Sequence, residues 1–331
     1  MADSFDTMAI FAPAATRTVG QAVARELGRD LAALEERRFP GGEFKIRPLE
    51  SVRSRHVYLI QSLHGDASGS PADRLCELLF LAGAVRDAGA GHVSMVVPYL
   101  AFARKDRRTK ARDPITSRYV AQMIEALGVD HVMAVDVHNP AAFDNAFRIR
   151  ADHLTTTRLL AEHFAADRTR RPLAVVSPDL GGAKRAQLLR ESLAHHLGFE
   201  VEFACVEKRR TGGVVSGGDV SGDVSGRTVI LLDDLISTGG TLLRAARSCR
   251  AAGAVDVYAA ATHAPLTDGA VDLLADSALS GIVVTDTVPL PGRAAQALAA
   301  KLTVLPIAGL IAAAIGCVHG HGSLSRLLEL E

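Results

Sequence analysis

One stretch of the chain combines the residue types needed to hold an anion and a sugar. Val229-Ile230-Leu231-Leu232 is an apolar run, Asp233-Asp234 closes it, and Leu235-Ile236 leads into Ser237-Thr238-Gly239-Gly240-Thr241. The run reads as a buried strand, and the residues after Thr241 read as a helix. The glycines let backbone N–H groups converge, and the hydroxyls of Ser237, Thr238 and Thr241 add donors. The positive end of the following helix favours a phosphate. Two carboxylates at the carboxyl end of a strand suit vicinal hydroxyls and a metal-bound sugar, and open α/β sheets bind ligands at that edge. No Lys-Ser/Thr pair follows the glycines, so this is not a P-loop, and no GxGxxG occurs.

Two other segments are rich in cations. Ala101 to Pro114 holds Arg104, Lys105, Arg107, Arg108, Lys110 and Arg112 against Asp106 and Asp113. Lys208 to Gly226 opens with Lys208-Arg209-Arg210 and continues with six Gly and three Ser. The second composition predicts a mobile loop. Few aromatics interleave with the charges of the first, so base stacking along a nucleic acid has little support.

These segments punctuate a regular alternation. Strands are predicted at Met8–Phe11, Val57–Gln61, Val93–Val97, Val132–Val137, Leu173–Ser177, Val201–Val206, Thr228–Leu232, Val257–Ala261 and Ile282–Thr285. Helical patterns lie at Gly20–Leu27, Ala72–Ala88, Thr116–Leu127, Leu154–Ala166, Gly182–Leu197 and Thr241–Ala252. Wholly apolar strands separated by helices predict buried, mostly parallel sheets flanked by helices. Arg38 to Glu43 lies between two shorter extended runs and reads as a hairpin turn. With 331 residues, two α/β domains are expected, divided as 1–152 plus about 317–331, and 153–316.

Composition narrows the function classes. Thirty-seven Lys+Arg balance 37 Asp+Glu, which argues against a nucleic-acid coat or a basic membrane-surface protein. The start of the chain has Asp3 and Asp6 and no basic residue before Ala15, unlike a secretory signal. The run Val304–Val318 contains Pro306 and is too short to span a bilayer, so it reads as a buried helix. Cys76, Cys205, Cys249 and Cys317 form no CxxC pair, as expected of free thiols in a reducing cytoplasm.

The 229–241 stretch resembles the ribose-5-phosphate signature of type I phosphoribosyl enzymes. The resemblance then extends along nearly the whole chain to the ribose-phosphate pyrophosphokinases. It rests on RFPGGE at 38–43, ESVR at 50–53, VPYLAFARKDRR at 97–108, DPIT at 113–116, VDVH at 135–138, SPDLGGAKR at 177–185, EKRR at 207–210, VILLDDLISTGGT at 229–241 and THAPL at 262–266. It implies two tandem type I phosphoribosyltransferase-like domains, with ATP and ribose 5-phosphate meeting between them. The implied reaction moves the diphosphate of ATP to O1 of ribose 5-phosphate with Mg2+, giving AMP and 5-phosphoribosyl 1-diphosphate.

By that resemblance, Asp233 and Asp234 face the ribose hydroxyls, and Ser237, Thr238, Gly239, Gly240 and Thr241 hold the 5-phosphate. Phe39, Gly41 and Glu43 receive the adenine, with Arg104, Lys105, Asp106 and His138 also on the ATP side. His138 and Asp179 hold Mg2+ with its phosphates. Lys208 and Arg210 are catalytic. Ser51, Arg53, Arg112, Ser323 and Ser325 match a regulatory site for phosphate or ADP.

Lys105 stands where many members have Gln, Gly41 where Asp or Asn is common, and Ser237 where Asp is usual. The resemblance further implies a cytoplasmic protein that assembles as dimers or dimer-based hexamers, with no membrane or nucleic-acid partner. The alternative is a catalytically silent regulatory subunit of such a synthetase. A phosphoribosyltransferase that consumes the product is a further reading, and it would not need Phe39, Glu43 or the Arg104 segment.

Overall fold

The computed structural model describes residues 7–166, 172–207, 209–211, 214–216, 218–320 and 322–328. They divide into two compact units, one of residues up to 155 plus those from 307 onward, the other of 156–306.

The first unit begins with β1 (Met8–Phe11), α1 (Arg17–Glu26), β2 (Leu34–Arg38), β3 (Phe44–Pro48) and β4 (His56–Ile60). It continues with α2 (Pro71–Asp87), β5 (His92–Val97), α3 (Thr116–Ala126), β6 (His131–Val135), α4 (Pro140–Ala146) and β7 (Arg150–Leu154). Five of these strands form a parallel sheet in the order β1-β4-β5-β6-β7. Strands β1, β4, β5 and β6 are largely apolar because both faces are covered, whereas the edge strand β7 is polar. Val57, Leu59, Val93 and Met95 face one core with Leu78 and Leu81 of α2. Strands β2 and β3 form a separate antiparallel hairpin. Helix α2 starts on a capping box, in which Ser70 accepts from the Asp73 amide and Asp73 accepts from that of Ser70.

The second unit runs α5 (Thr157–Ala166), β8 (Leu173–Ser177), α6 (Ala183–Leu197), β9 (Glu202–Val206), β10 (Arg209–Thr211), β11 (Val214–Ser216) and β12 (Val220–Ser221). It continues with β13 (Thr228–Leu235), α7 (Gly240–Ala251), β14 (Asp256–His263), α8 (Ala270–Leu274), β15 (Gly281–Thr285), α9 (Gly292–Ala297) and β16 (Leu302–Leu305). Its main sheet has the order β12-β9-β8-β13-β14-β15-β16, parallel except at β12. Successive residues of β13 alternate between two cores. Val229 and Leu231 pack with Leu242 and Ala246 of α7, while Ile230 and Leu232 pack with α5 and α6. The last helices, α10 (Ala308–His319) and α11 (Leu324–Leu328), belong to the first unit. Ile311, Ala314 and Ile315 are buried, and α10 packs on α1, so the apolar run at 304–318 supplies a core helix. Among the described residues, no helix is long and apolar enough to cross a membrane.

Three local expectations change. Leu154 ends a strand, not begins a helix, because Arg150–Leu154 pairs with β6 and α5 starts only at Thr157. Strand β13 runs on through Asp233 to Leu235, because β14 extends beside it as far as His263. Within 208–226, Arg209–Thr211 pairs with Val214–Ser216 and Val220–Ser221 pairs with β9, so the described parts form ribbons where the composition predicted a loop.

Candidate active site

The β13–α7 junction brings together, within the second unit, the residues expected to hold a sugar phosphate. Asp233 opposes Ala261 of β14, and Leu235 opposes His263. Ile236 donates to the His263 carbonyl at 2.8 Å, so the ladder holds the backbone to the end of the acidic pair. Asp234 is 4% exposed, and its amide donates to Asp233 Oδ1 at 2.9 Å. Burial, then the hydrogen bond and charge of Asp234, push the Asp233 carboxyl up to about 7. Two adjacent carboxylates leaving water resist full ionisation. Ligand hydroxyls or a cation would relieve that cost.

The cradle follows directly. Gly239 has φ +78° and caps α7, and a Cβ there would lie 3.2 Å from the Leu274 side chain. The N-cap, Gly239, has no side chain to cap the helix, the Gly240 amide makes only a long contact with Thr238 Oγ1 at 3.4 Å among the described residues, and the first turn carries no acid. The positive helix end is therefore left for an exogenous anion. Thr267 fixes the opposite lip, donating from its amide (3.1 Å) and its hydroxyl (3.3 Å) to the Ser237 carbonyl. Arg244 donates to Thr241 Oγ1 at 3.3 Å.

A buried hydroxyl network supports this edge. Thr285 and Thr287 both donate to the Thr262 carbonyl, at 2.7 and 3.0 Å, and His263 Nδ1 meets Thr287 Oγ1 at 2.9 Å. Sequence reasoning marked 262–266 but missed Thr285 and Thr287, whose role appears only once β14 and β15 lie side by side. Asp179, expected as a metal ligand, follows β8. Its Oδ1 accepts from the Gly181 and Gly182 amides at 2.9 and 3.3 Å, capping the turn into α6. Arg210 lies on β10 opposite Val215, and Lys208 lies outside the described residues.

In the first unit, His138 follows β6 and is exposed. The strand end turns sharply there, with Asp136 buried at φ 39° and the Val137 amide donating to His153 Nε2 at 3.2 Å. Asn139, adjacent to His138, donates to Asp106 Oδ2 at 2.6 Å. That bond draws the basic segment to the His138 strand end, and neither composition nor motif announced it. The segment is itself tied up by Asp113, which accepts from Lys105 Nζ (2.6 Å), the Thr109 amide and hydroxyl, and the Lys110 amide. Lys105, Thr109 and Lys110 together hold the Asp113 carboxyl well below the usual range. Lys105 is thus committed to an internal ion pair, while Arg104 is exposed.

Phe39 and Glu43 sit at the tip of the β2–β3 hairpin, where the Phe39 amide donates to the Glu43 carbonyl at 2.8 Å. Gly41 and Gly42 have φ of +91° and +94° and shape the turn. Phe39 is 36% exposed, with the Arg37 guanidinium 5.0 Å from its ring centroid. Ser51, Arg53, Arg112, Ser323 and Ser325 are exposed residues of the same unit, and among the described residues no hydrogen bond joins them. Among the described residues, no three His, Cys, Asp or Glu side chains come together as a metal cluster.

Similarity to known proteins runs along nearly the whole chain. Residues 8–128 match the N-terminal domain of ribose phosphate pyrophosphokinase, and 216–329 match the phosphoribosyl synthetase-associated domain. Ribose-phosphate pyrophosphokinase 1 of Streptococcus pneumoniae is 37% identical over 334 residues, covering 99% of both chains. The protein of that name from Streptococcus pyogenes is 37% identical over 331 residues, again covering 99% of each. A crystal structure of phosphoribosylpyrophosphate synthetase from Mycobacterium smegmatis superposes with a TM-score of 0.85 at 33% identity, covering 96% of this chain and 100% of that one. The chain belongs to the ribose-phosphate pyrophosphokinase family.

Proposed function

We propose that this protein transfers the diphosphate of ATP to O1 of ribose 5-phosphate, releasing AMP and forming 5-phosphoribosyl 1-diphosphate. The observation that carries this reading is the β13–α7 junction, where a half-buried Asp233 and a buried Asp234 run straight into an acid-free helix start capped by glycine. It occurs on a chain that covers 99% of its curated relatives. Asp233 and Asp234 accept from the ribose hydroxyls and orient the anomeric carbon. The amides and hydroxyls of 237–241 hold the 5-phosphate, fixing the far end of the sugar.

On the ATP side, Phe39 stacks on the base and Glu43 accepts from its amino group. Gly41 leaves the turn open, and Arg104 pairs with phosphate oxygens. Asp106, tied to Asn139, and Lys105, tied to Asp113, hold the segment that presents Arg104. The O1 hydroxyl attacks the β-phosphorus as its proton passes to solvent, the bond to the α,β-bridging oxygen breaks, and AMP leaves with that oxygen. Phosphoryl-type transfer needs in-line positioning and cations on the equatorial oxygens more than covalent help. Lys208 and Arg210 supply those cations.

One carboxylate and one imidazole, completed by waters, suit a hydrated Mg2+, and Asp179 engages the Gly181 and Gly182 amides through Oδ1. His138 and Asp179 would hold the ion, which neutralises phosphate charge when bound. Ser51, Arg53, Arg112, Ser323 and Ser325 form the phosphate- or ADP-responsive site, and the protein works in the cytoplasm. The deciding experiment follows AMP release from ATP and Mg2+ with and without ribose 5-phosphate. AMP formation dependent on the sugar phosphate is expected. None at any Mg2+ or phosphate level would overturn the reading in favour of a silent subunit.

A further inference from the structure

The hairpin that carries Phe39 and Glu43 grips the first unit through three apolar side chains, Ile46 in the core with Leu34 and Phe44 packed against it. Strand β2, Leu-Glu-Glu-Arg-Arg, has no buried residue, and β3 buries only Ile46. Phe44 stacks on Phe80 of α2, with ring centroids 5.2 Å apart and planes at 27°. The remaining attachment to α2 is ionic and sits one residue before Phe39. Arg38 ion-pairs with Glu77.

Glu77 is not a surface carboxylate. It is 5% exposed and is held from behind by Arg74, itself 3% exposed, whose Nη1 lies 3.0 Å from Glu77 Oε2. The other Arg74 nitrogen, Nη2, lies 2.7 Å from Asp66 Oδ1 and also bonds Ser68 Oγ. Asp66 Oδ1 is fixed in turn by the Ser68 amide at 2.7 Å and the Gly69 amide at 3.1 Å. The result is an alternating chain, Asp66–Arg74–Glu77–Arg38, from the loop before α2 to the last residue of β2.

Burying such charges costs desolvation free energy that an apolar cluster would not incur, so stability is a poor explanation for it. What it supplies is direction, because guanidinium–carboxylate contacts set both distance and plane. We propose that Glu77 and Arg74 are positioning residues that set the pose of the Phe39–Glu43 turn, and thereby the affinity for the nucleotide base. The proposal rests on the reading of that turn as the adenine contact.

The test uses the full-length protein and compares Glu77→Gln, Glu77→Asp, Arg38→Gln, the Glu77→Gln/Arg38→Gln double variant and Phe39→Ala. KM for ATP, KM for ribose 5-phosphate, kcat, and equilibrium binding of a non-hydrolysable ATP analogue are measured for each. Loss of a charge-assisted hydrogen bond to the turn is expected to raise ATP KM and analogue Kd about tenfold in Glu77→Gln and in Arg38→Gln. KM for ribose 5-phosphate and kcat should stay within about twofold. Glu77→Asp should recover part of the loss, and the double variant should be no worse than either single one.

Arg38 is half-exposed, so its substitution tests the chain even if Glu77→Gln folds poorly. A raised ATP KM in Phe39→Ala with unchanged values in Arg38→Gln and Glu77→Gln would overturn the positioning role alone. Unchanged ATP KM in Phe39→Ala would remove the adenine reading on which it rests. Equal losses for both substrates would mark the chain as merely structural and overturn the proposal.

Discussion

Asp233 lies in a strand, beside a second carboxylate, with its charged form opposed by burial. A folded-state pKa raised from 3.8 to about 7 means that the native state binds more protons than the unfolded chain across that window. Stability therefore falls as pH rises through it, by up to about 1.4 kcal/mol per pH unit. Urea unfolding of the wild type and Asp233→Asn is expected to show the variant gaining relative stability from about pH 4 to about pH 7. Parallel curves would show that the pair is not strained. Function requires the opposite state, so the variant that gains stability should lose ribose 5-phosphate affinity.

The cations proposed to meet the phosphates give the other local prediction. Lys208→Ala and Arg210→Ala should each lower kcat by roughly 10³, as other phosphoryl-stabilising arginines do. Near-normal kcat in both would remove them from the chemistry. The motifs around these residues were legible because each is a contiguous run. Lys105–Asp113, eight positions apart, and Asn139–Asp106, 33 apart, were not, since only the folded loop brings them together.

The start of α7 depends on one backbone conformation. Gly239 combines a left-handed φ with close approach to Leu274. Gly239→Ala should cost roughly 1–2 kcal/mol from the left-handed backbone alone. It should also raise KM for ribose 5-phosphate more than KM for ATP, because the distorted end is the proposed phosphate cradle. Thermal unfolding and steady-state kinetics check both effects.

Helix α10 poses a different problem, since it covers a sheet face that is partly polar. His56 stacks on Tyr58, its ring lies 5.5 Å from that of His319, and its Nε2 meets Ser94 Oγ at 2.9 Å. Ser94 in turn meets His131 Nδ1, and His131 Nε2 meets Asp152. Burial, then the charges of His92 and His319, push His56 from 6.5 down to about 3. Its contribution is complete above about pH 6.5 and is lost as pH falls towards 3. His56→Gln should flatten the acid limb of stability over that interval, measured by thermal unfolding. The polar strand β7, Arg-Ala-Asp-His-Leu, escaped an apolar search because, as an edge strand, it presents Arg150 and Asp152 to this network and to solvent.

Taken together, the chain is electrically neutral yet locally polarised. Its formal charge of +0 conceals basic segments at 104–112 and 208–210 and acidic strand ends at 179 and 233–234. A strongly basic total would have implied a nucleic-acid partner, whereas opposed patches fit a sugar phosphate, a nucleotide and a cation. The same reading has the protein self-associate as dimers or dimer-based hexamers. Light scattering across a concentration series should give a mass that is an even multiple of 34.9 kDa. A monomer throughout would refute this.

The α/β alternation, the hairpin and the chemistry of the β13–α7 junction are decided by neighbours in sequence. A strand's apolar run, a turn's glycines and a helix start act over a few residues, and a linear chain displays them. The extension of β13 to Leu235, the polar edge strand β7, the threonine network at Thr262 and the Asp66–Arg74–Glu77–Arg38 chain depend on partners brought together by packing. Arg38 and Glu77 stand 39 positions apart. Neither has meaning as a pair until α2 lies against the hairpin, because a buried charge is defined by what surrounds it and not by what precedes it.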